Sequence, residues 1–330
     1  MLYLHGIGHF HPENEIDNTF LEALDIGTSD QWIMERVGIR SRRTVLSLDY
    51  IRATRNQDTR AAREASVYSN AETGGRAALM AIERAGISPG DIGMVIAGGC
   101  SPDTCIPAEA ARIARALGIE RPALDLHSAC ASFGAHAHFL SQMGPTLPEY
   151  VLMISPENMT RVIDFSDRSS AVLFGDATSA AVVSTKVPAR ARAVFTTFGA
   201  SPAGADEVVV TRTGHFRQNG PAVQKFAIKM MTSLLREIQQ RVPAERADRV
   251  IYVGHQANLK MLESVCKRCE VPPDRHFHNI VDFGNQSAAG APTVISQRWE
   301  GFKDGDVVAA VVVGSGLSWS SMQIEFGGGS

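Results

Sequence analysis

"PALDLHSACASFGAHAHFLSQM", residues 122–143, opens as a short apolar run, passes through small polar residues around Cys130, and continues as a helix-period run. A strand that ends on a thiol where a helix opens puts that sulfur at the positive end of the helix dipole, beside unpaired backbone N–H groups. Such a site lowers a thiol pKa and suits a nucleophile. A lone cysteine is nonetheless most often a buried structural residue, so the surrounding pattern has to decide.

Working outward from Cys130, apolar runs alternate with helix-period runs. "GMVIAGG" (93–99) reads as a buried parallel strand and "PAEAARIARALGI" as a helix starting on Pro107. "PALDL", the helix after Cys130, and strand "YVLMIS" (150–155) complete a first series. A second series follows: strand "RVIYVG" (249–254), helix "QANLKMLESVCKRC", strand "FHNIVD", helix "QSAAGAPTVISQRW" and strand "DVVAAVVVG" (306–314). Ile96 and Ile251 are 155 residues apart, and so are Cys130 and Asn285. The reading is an internal repeat of two βαβ-containing halves stacked in one α/β body. Reactive groups of such sheets gather at the carboxyl ends of strands. Cys130, Asn285 and His255, which follows "RVIYVG", would then meet in one pocket. Alone, His255 reads as a core or capping histidine and Asn285 as a helix N-cap; the combination is the specific signal.

The chain has 330 residues, 44% of them hydrophobic, enough for two ordinary domains or one large α/β unit. Its 32 basic and 35 acidic residues leave a net charge of −3, which gives no global reason to expect nucleic acid or an anionic membrane as partner. No apolar run approaches the length of a bilayer span, and the N-terminus lacks a signal-peptide pattern. Five cysteines make a poor disulfide framework, so a cytoplasmic protein is expected. Cys266 and Cys269 fall on the apolar stripe of one helix and read as core, with no metal site. Cys100 and Cys105 are assigned no chemistry. The glycine-rich "GSGLSW" (314–319) suits backbone N–H groups aimed into a pocket. "GGGS" (327–330) reads as a flexible tail.

The chain resembles β-ketoacyl-[acyl carrier protein] synthase III, a condensing enzyme of the thiolase superfamily, from end to end. "GIGHFHPENEIDN" and "TSDQWIMERVGIRSRR" are similar to its N-terminal signature, "SACASF" to its nucleophile motif, and "DRSSAVLFGDATSAAVV" to its mid-chain motif. "GHQAN", "GNQSAAGAP" and "GSGLSWSS" resemble its second-half motifs and closing loop. The resemblance implies a thiolase-like fold with layers α-β-α-β-α, an N-terminal half over 1–185 and a C-terminal half over 186–326. It implies Cys130 as acyl-accepting nucleophile and His255 and Asn285 as the rest of a triad. The amides of Cys130 and Ser315 would form an oxyanion hole. Trp32 and Arg168 would sandwich the adenine of coenzyme A, with Arg36 near the phosphates. Asn258 would face the substrate tunnel, and Ile106 would reach across a homodimer into the partner's acyl pocket. Lys225, Lys260, Lys267 and Arg268 would dock an acidic acyl carrier protein. No cofactor is implied beyond the thioester substrates.

Departures from the family pattern are the long segment 46–70, Ser132 where glycine is common, Ser315 within the glycine run, and Pro221 and Gln224 along the coenzyme A channel. The reaction implied is acyl transfer to Cys130, loss of carbon dioxide from a malonyl-type thioester, and carbon–carbon bond formation. Acyl transfer to an alcohol or amine, and a non-catalytic partner subunit, stand as alternatives. None of the cysteines follows Cys269, which sets the chain apart from thiolases with a second cysteine near the C-terminus.

Overall fold

The computed structural model describes residues 1–327. Nine strands form one sheet: β1 (Leu2–Phe10), β2 (Ile92–Ala97), β3 (Ala123–Asp125), β4 (Tyr150–Glu157), β5 (Ala177–Ser184), β6 (Ala191–Ala200), β7 (Val250–Gly254), β8 (Val307–Gly314) and β9 (Ser318–Phe326). Their spatial order is β7-β8-β9-β6-β1-β5-β4-β2-β3. The first five strands thus lie 3-2-4-5-1. The last four repeat this order with the third strand missing. The halves join where β1 and β6 pair antiparallel at Leu2–Ala193, Tyr3–Arg192 and Leu4–Ala191.

Side-chain parity shows the layers. Along β8, Val308, Ala310 and Val312 pack with α4 (Ser132–Met143) and α7 (Gly290–Gln297) in one core, which also takes Val151 and Met153 of β4. The intervening Val307, Ala309, Val311 and Val313 pack against α5 (Gly220–Arg241) and α6 (Leu259–Arg268). Leu152 and Ile154 of β4 face α2 (Asn70–Ala85) and α3 (Glu109–Ala116). Strands buried on both faces lose the polar alternation and read as continuous apolar runs, as these do. Two central helices therefore lie between the half-sheets, and outer helices cover both sides. This is the α-β-α-β-α body of the thiolase-like fold.

Three expectations about elements change. The run "FHNIVD" forms no strand: a single bridge joins Tyr252 to His276, and Ile280–Phe283 is a short helix. The Gln256 Oε1 accepts the Asn279 and Ile280 amides at 3.0 and 3.2 Å, which turns the chain out of the sheet. Helix α3 starts at Glu109, beyond Pro107, because the Asp125 carboxylate accepts the Glu109 and Ala110 amides at 2.8 and 2.9 Å. The repeat is also offset by 158 residues at its central helices, not 155: Ala129 and Ser287 share a positive φ, and Ser132 and Gly290 start the two helices. Cys130 is matched by Ala288, and Asn285 lies just upstream of the equivalent turn.

Segment 46–70 folds as two short helices, Leu48–Thr54 and Thr59–Ala65, with Ile51 and Ala62 in the core. The tail 328–330 lies outside the described residues, and the Gly327 amide donates to the Arg190 carbonyl at 2.8 Å. No described helix is long and apolar enough to cross a membrane.

Candidate active site

Strands β2 and β3 are parallel neighbours and leave the sheet at the same end, Ala97 beside Asp125. The chain then turns through a 3-10 segment, Ala129–Ala131, before α4 begins at Ser132. Cys130 therefore sits just before the helix rather than on its first turn. Ala129 holds φ +46°, a strained value for a residue with a side chain. Ser132, where glycine was expected, braces this turn: its Oγ donates to the Ala129 carbonyl at 2.6 Å and accepts the Ser128 amide at 2.9 Å. From the other half, Gly314 at the end of β8 approaches so closely that a Cβ there would lie 3.0 Å from the Cys130 nitrogen.

His255 follows β7 directly and is buried; its Nδ1 has no hydrogen-bond partner among the described residues. Asn285 is fixed by the mid-chain motif. Its amide donates to the Leu173 carbonyl at 2.8 Å, and its carbonyl accepts the Gly175 amide at 3.1 Å. Its side-chain Oδ1 accepts the Ser287 amide at 2.9 Å. The carboxamide oxygen is thereby taken, and the NH2 group remains as donor. A Cβ at Gly175 would lie 2.3 Å from the Phe283 carbonyl oxygen. Gly175→Ala is therefore expected to lower stability by about 1–3 kcal/mol in urea unfolding and to move Asn285. An unchanged midpoint would show that the two segments part freely.

The two loops carrying His255 and Asn285 are tied beneath the site. The Gln256 side chain holds the Asn279 amide, and the Gln286 Nε2 donates to the Asn279 Oδ1 at 2.8 Å. The Gln286 Oε1 in turn accepts from Thr293 at 2.9 Å and lies 2.9 Å from the His11 ring nitrogen Nε2. Both glutamines are fully buried, and such a network is rigid only while every member is satisfied. The glutamines of "HQAN" and "GNQ" serve this function.

Sequence reasoning missed two residues. The Cys100 Sγ lies 3.8 Å from the Cys130 Sγ. Buried Glu157, at the end of β4, accepts the Cys100 amide at 3.0 Å and the Ala288 amide at 3.1 Å. Cys100 donates a hydrogen bond to Cys130, and this holds the Cys130 thiol well below its ordinary range against the cost of burial; His255 and Ser287 act in the same direction. Cys100 itself is pushed up, as the proton donor of the pair. Their common origin at one sheet end was the available signal, since both follow strands the sequence had marked.

Burial, followed by the Cys130 charge, pushes Glu157 up to about 8. An ordinary glutamate in the unfolded chain titrates near ~4.3. The folded protein therefore holds the extra proton between these values, and stability falls as pH rises through that window. Glu157→Gln is expected to remove on the order of 4 kcal/mol of pH dependence between pH 5 and 9. Urea titrations at both pH values check this, and parallel losses in wild type and variant would contradict it.

Cys130, His255 and Asn285 line one cavity of about 400 Å³, together with Ser315, Asn258, Pro221 and Gln224. Its apolar wall includes Phe174, Phe216 and Phe226. It runs from exposed Arg36 and Arg168 to the buried His255 and Asn285. Both arginines reach the Trp32 ring, their Cζ atoms 5.0 and 5.1 Å from its centroid. Asn258 also caps α6, accepting the Met261 amide at 3.2 Å.

Ile106 does not reach this cavity and is 86% exposed. Lys225 and Arg268 line a second, open groove of about 820 Å³, with Lys229 and Arg236; Lys260 and Lys267 lie outside it. Lys260 pairs with Glu263 at 3.2 Å. The basic groove thus belongs chiefly to α5, where Lys225, Lys229 and Arg236 recur on one face. Cys266 and Cys269 are buried, as expected of core residues, and burial pushes Cys266 up to about 12.

A thiol, an imidazole and a carboxamide at the seam of two α/β halves define an acyltransferase of the condensing class. Residues 124–202 match the family 3-oxoacyl-[acyl-carrier-protein (ACP)] synthase III, and residues 241–326 match its C-terminal part. The chain belongs to this family. It is 32% identical to β-ketoacyl-[acyl-carrier-protein] synthase III of Oceanobacillus iheyensis over 98% of both chains. It superposes on 3-oxoacyl-[acyl-carrier-protein] synthase III of Aquifex aeolicus with a TM-score of 0.85 and 26% identity, covering 99% of this chain and 100% of that one. The priming β-ketosynthase of the R1128 polyketide biosynthetic pathway is 25% identical with a TM-score of 0.82, covering 100% and 97%. The chain is a ketosynthase, a transferase that makes a β-keto product by decarboxylative condensation in fatty-acid or polyketide initiation.

Proposed function

We propose that Cys130 takes the acyl group from a thioester and that His255 and Asn285 hold the enolate of the second substrate. The thiolate attacks the thioester carbonyl, the tetrahedral oxyanion rests on the amides of Cys130 and Ser315, and the carrier thiolate leaves. A malonyl-type thioester then binds, and its carboxylate departs as carbon dioxide. The enolate oxygen accepts hydrogen bonds from His255 and from the Asn285 NH2 group. Its α-carbon attacks the acyl carbonyl, and Cys130 leaves as thiolate, bonded again to Cys100. The observation that carries this reading is the Asn285 carboxamide: its oxygen accepts the Ser287 amide, and its NH2 group donates to no described residue, which leaves a donor free at the cavity.

The Trp32 clamp supports coenzyme A as a donor carrier, with a guanidinium on hand for phosphate. The α5 groove, lined by Lys225, Lys229, Arg236 and Arg268, supports docking of an acidic acyl carrier protein. Exposed Ile106, Leu124, Phe139 and Met143 support a homodimer formed at the β3 edge. The five free cysteines support a cytoplasmic location, and the repeat supports two halves divided between β5 and β6.

Intact-protein mass spectrometry with a panel of acyl thioesters, followed by malonyl-[acyl carrier protein], tests the sequence of steps. A gain of one acyl mass at Cys130, then its loss with stoichiometric carbon dioxide, is expected. A folded sample that gains no mass from any thioester would contradict the proposal.

A further inference from the structure

Beyond the condensation chemistry, the nucleophile has a second thiol in contact with it that the reaction above does not consume. The Cys100 and Cys130 sulfurs are 3.8 Å apart; both residues are half-buried, and Cys130 lines the cavity. A disulfide needs about 2.05 Å between sulfurs, so closing the pair takes a shift of roughly 2 Å. The structure has fixed elements that hold Cys100 in place for this. Its amide is anchored on both Glu157 oxygens at 3.0 Å. The loop beyond it is pinned by buried Arg161, which donates to Asp103 at 2.5 Å and to the Ser101 carbonyl at 3.2 Å. Cys105, on the same loop, is exposed, and nothing places it against Cys130.

We propose that Cys100 is a resolving thiol: a hydroperoxide entering the cavity oxidises Cys130, and Cys100 captures the product as an intramolecular disulfide that a thiol reductant reverses. The steps balance. The Cys130 thiolate attacks one peroxide oxygen, the O–O bond breaks, and Cys130 becomes a sulfenic acid as hydroxide leaves. The Cys100 sulfur attacks the Cys130 sulfur. The S–S bond forms, the S–O bond breaks, and the departing oxygen takes the Cys100 proton and leaves as water. Two sulfurs lose two electrons in all, and the peroxide gains them. Low-pKa thiolates that face solvent are the ones oxidised first, and a neighbouring thiol halts that oxidation at a reversible stage. The pair therefore protects the nucleophile from irreversible loss and switches the enzyme off while oxidant is present.

The test is intact-mass and peptide mass spectrometry of the purified enzyme after hydrogen peroxide, before and after dithiothreitol. Wild type is expected to lose two mass units, with peptides carrying Cys100 and Cys130 linked, and to regain both alkylatable thiols on reduction. Cys105→Ser is expected to behave as wild type. Cys100→Ser, checked for folding by its melting curve, is expected to gain oxygen masses at Cys130 that dithiothreitol does not remove. Cys100→Ala serves the same comparison if the serine variant melts early. Oxygen gain at Cys130 in wild type without the linked peptide, a linked peptide surviving in the Cys100 variants, or no mass change at all would each overturn the proposal. The readout is mass alone, so it stands apart from whether condensation occurs.

Discussion

Cys130→Ala is expected to abolish acyl-enzyme formation and to cut condensation by at least ~10³-fold, with the fold intact. The size follows from the chemistry: no other thiolate at the cavity floor is available for attack, and Cys100 is held protonated. The side chain is half-buried and small, so truncating it leaves a minor void. Two measurements separate the effects. Intact mass reads the acyl-enzyme, and a melting curve reads the fold. Retention of a one-acyl mass gain in the variant would move the nucleophile to another residue, and Cys100 would be the first to examine.

Asn285→Ala is expected to divide the reaction. Acyl loading of Cys130 needs the thiolate and the backbone donors, neither of which this side chain supplies. Holding the enolate needs the carboxamide NH2. Loss of one such donor in a site shielded from water costs about 10²- to 10³-fold. Loading is therefore expected to survive within a few-fold while carbon dioxide release falls by that larger factor. Single-turnover acylation and released carbon dioxide, measured on one preparation, give both numbers. An equal fall in the two would assign Asn285 to general support of the site. The Ser287 amide also loses its acceptor in this variant, so a stability measurement belongs beside the kinetics.

Much of this architecture is legible in the chain because strands buried on both faces cannot hide their composition. "GMVIAGG", "YVLMIS" and "DVVAAVVVG" are apolar throughout, and each forms a strand. "FHNIVD" misleads because its apolar residues serve a different end: Gln256 captures the backbone at Asn279 and Ile280, and no local pattern announces a side chain from another loop. The 155-residue spacing was close enough to pair the halves and three residues off at the central turns, since loops drift more freely than helices.

The motifs around His255 and Asn285 gave the cavity residues, while Cys100 and Glu157 escaped notice. Their nearness to Cys130 is a product of strand order, which places β2, β3 and β4 side by side and cannot be read from spacing. Ile106 shows the opposite limit: it is exposed and lies outside the cavity of this chain.

The buried amides that lock Gln256, Asn279 and Gln286 together also decide where this enzyme can change. The floor of the cavity is a welded piece: any residue swapped there strands several donors at once. On the facing wall, the opening turn of α5 at Pro221, Val223 and Gln224 makes no such side-chain hydrogen bonds among the described residues. New substrate preferences would therefore be written on that wall first, leaving the reacting atoms where they stand. A directed-evolution library confined to those few positions is the economical place to begin.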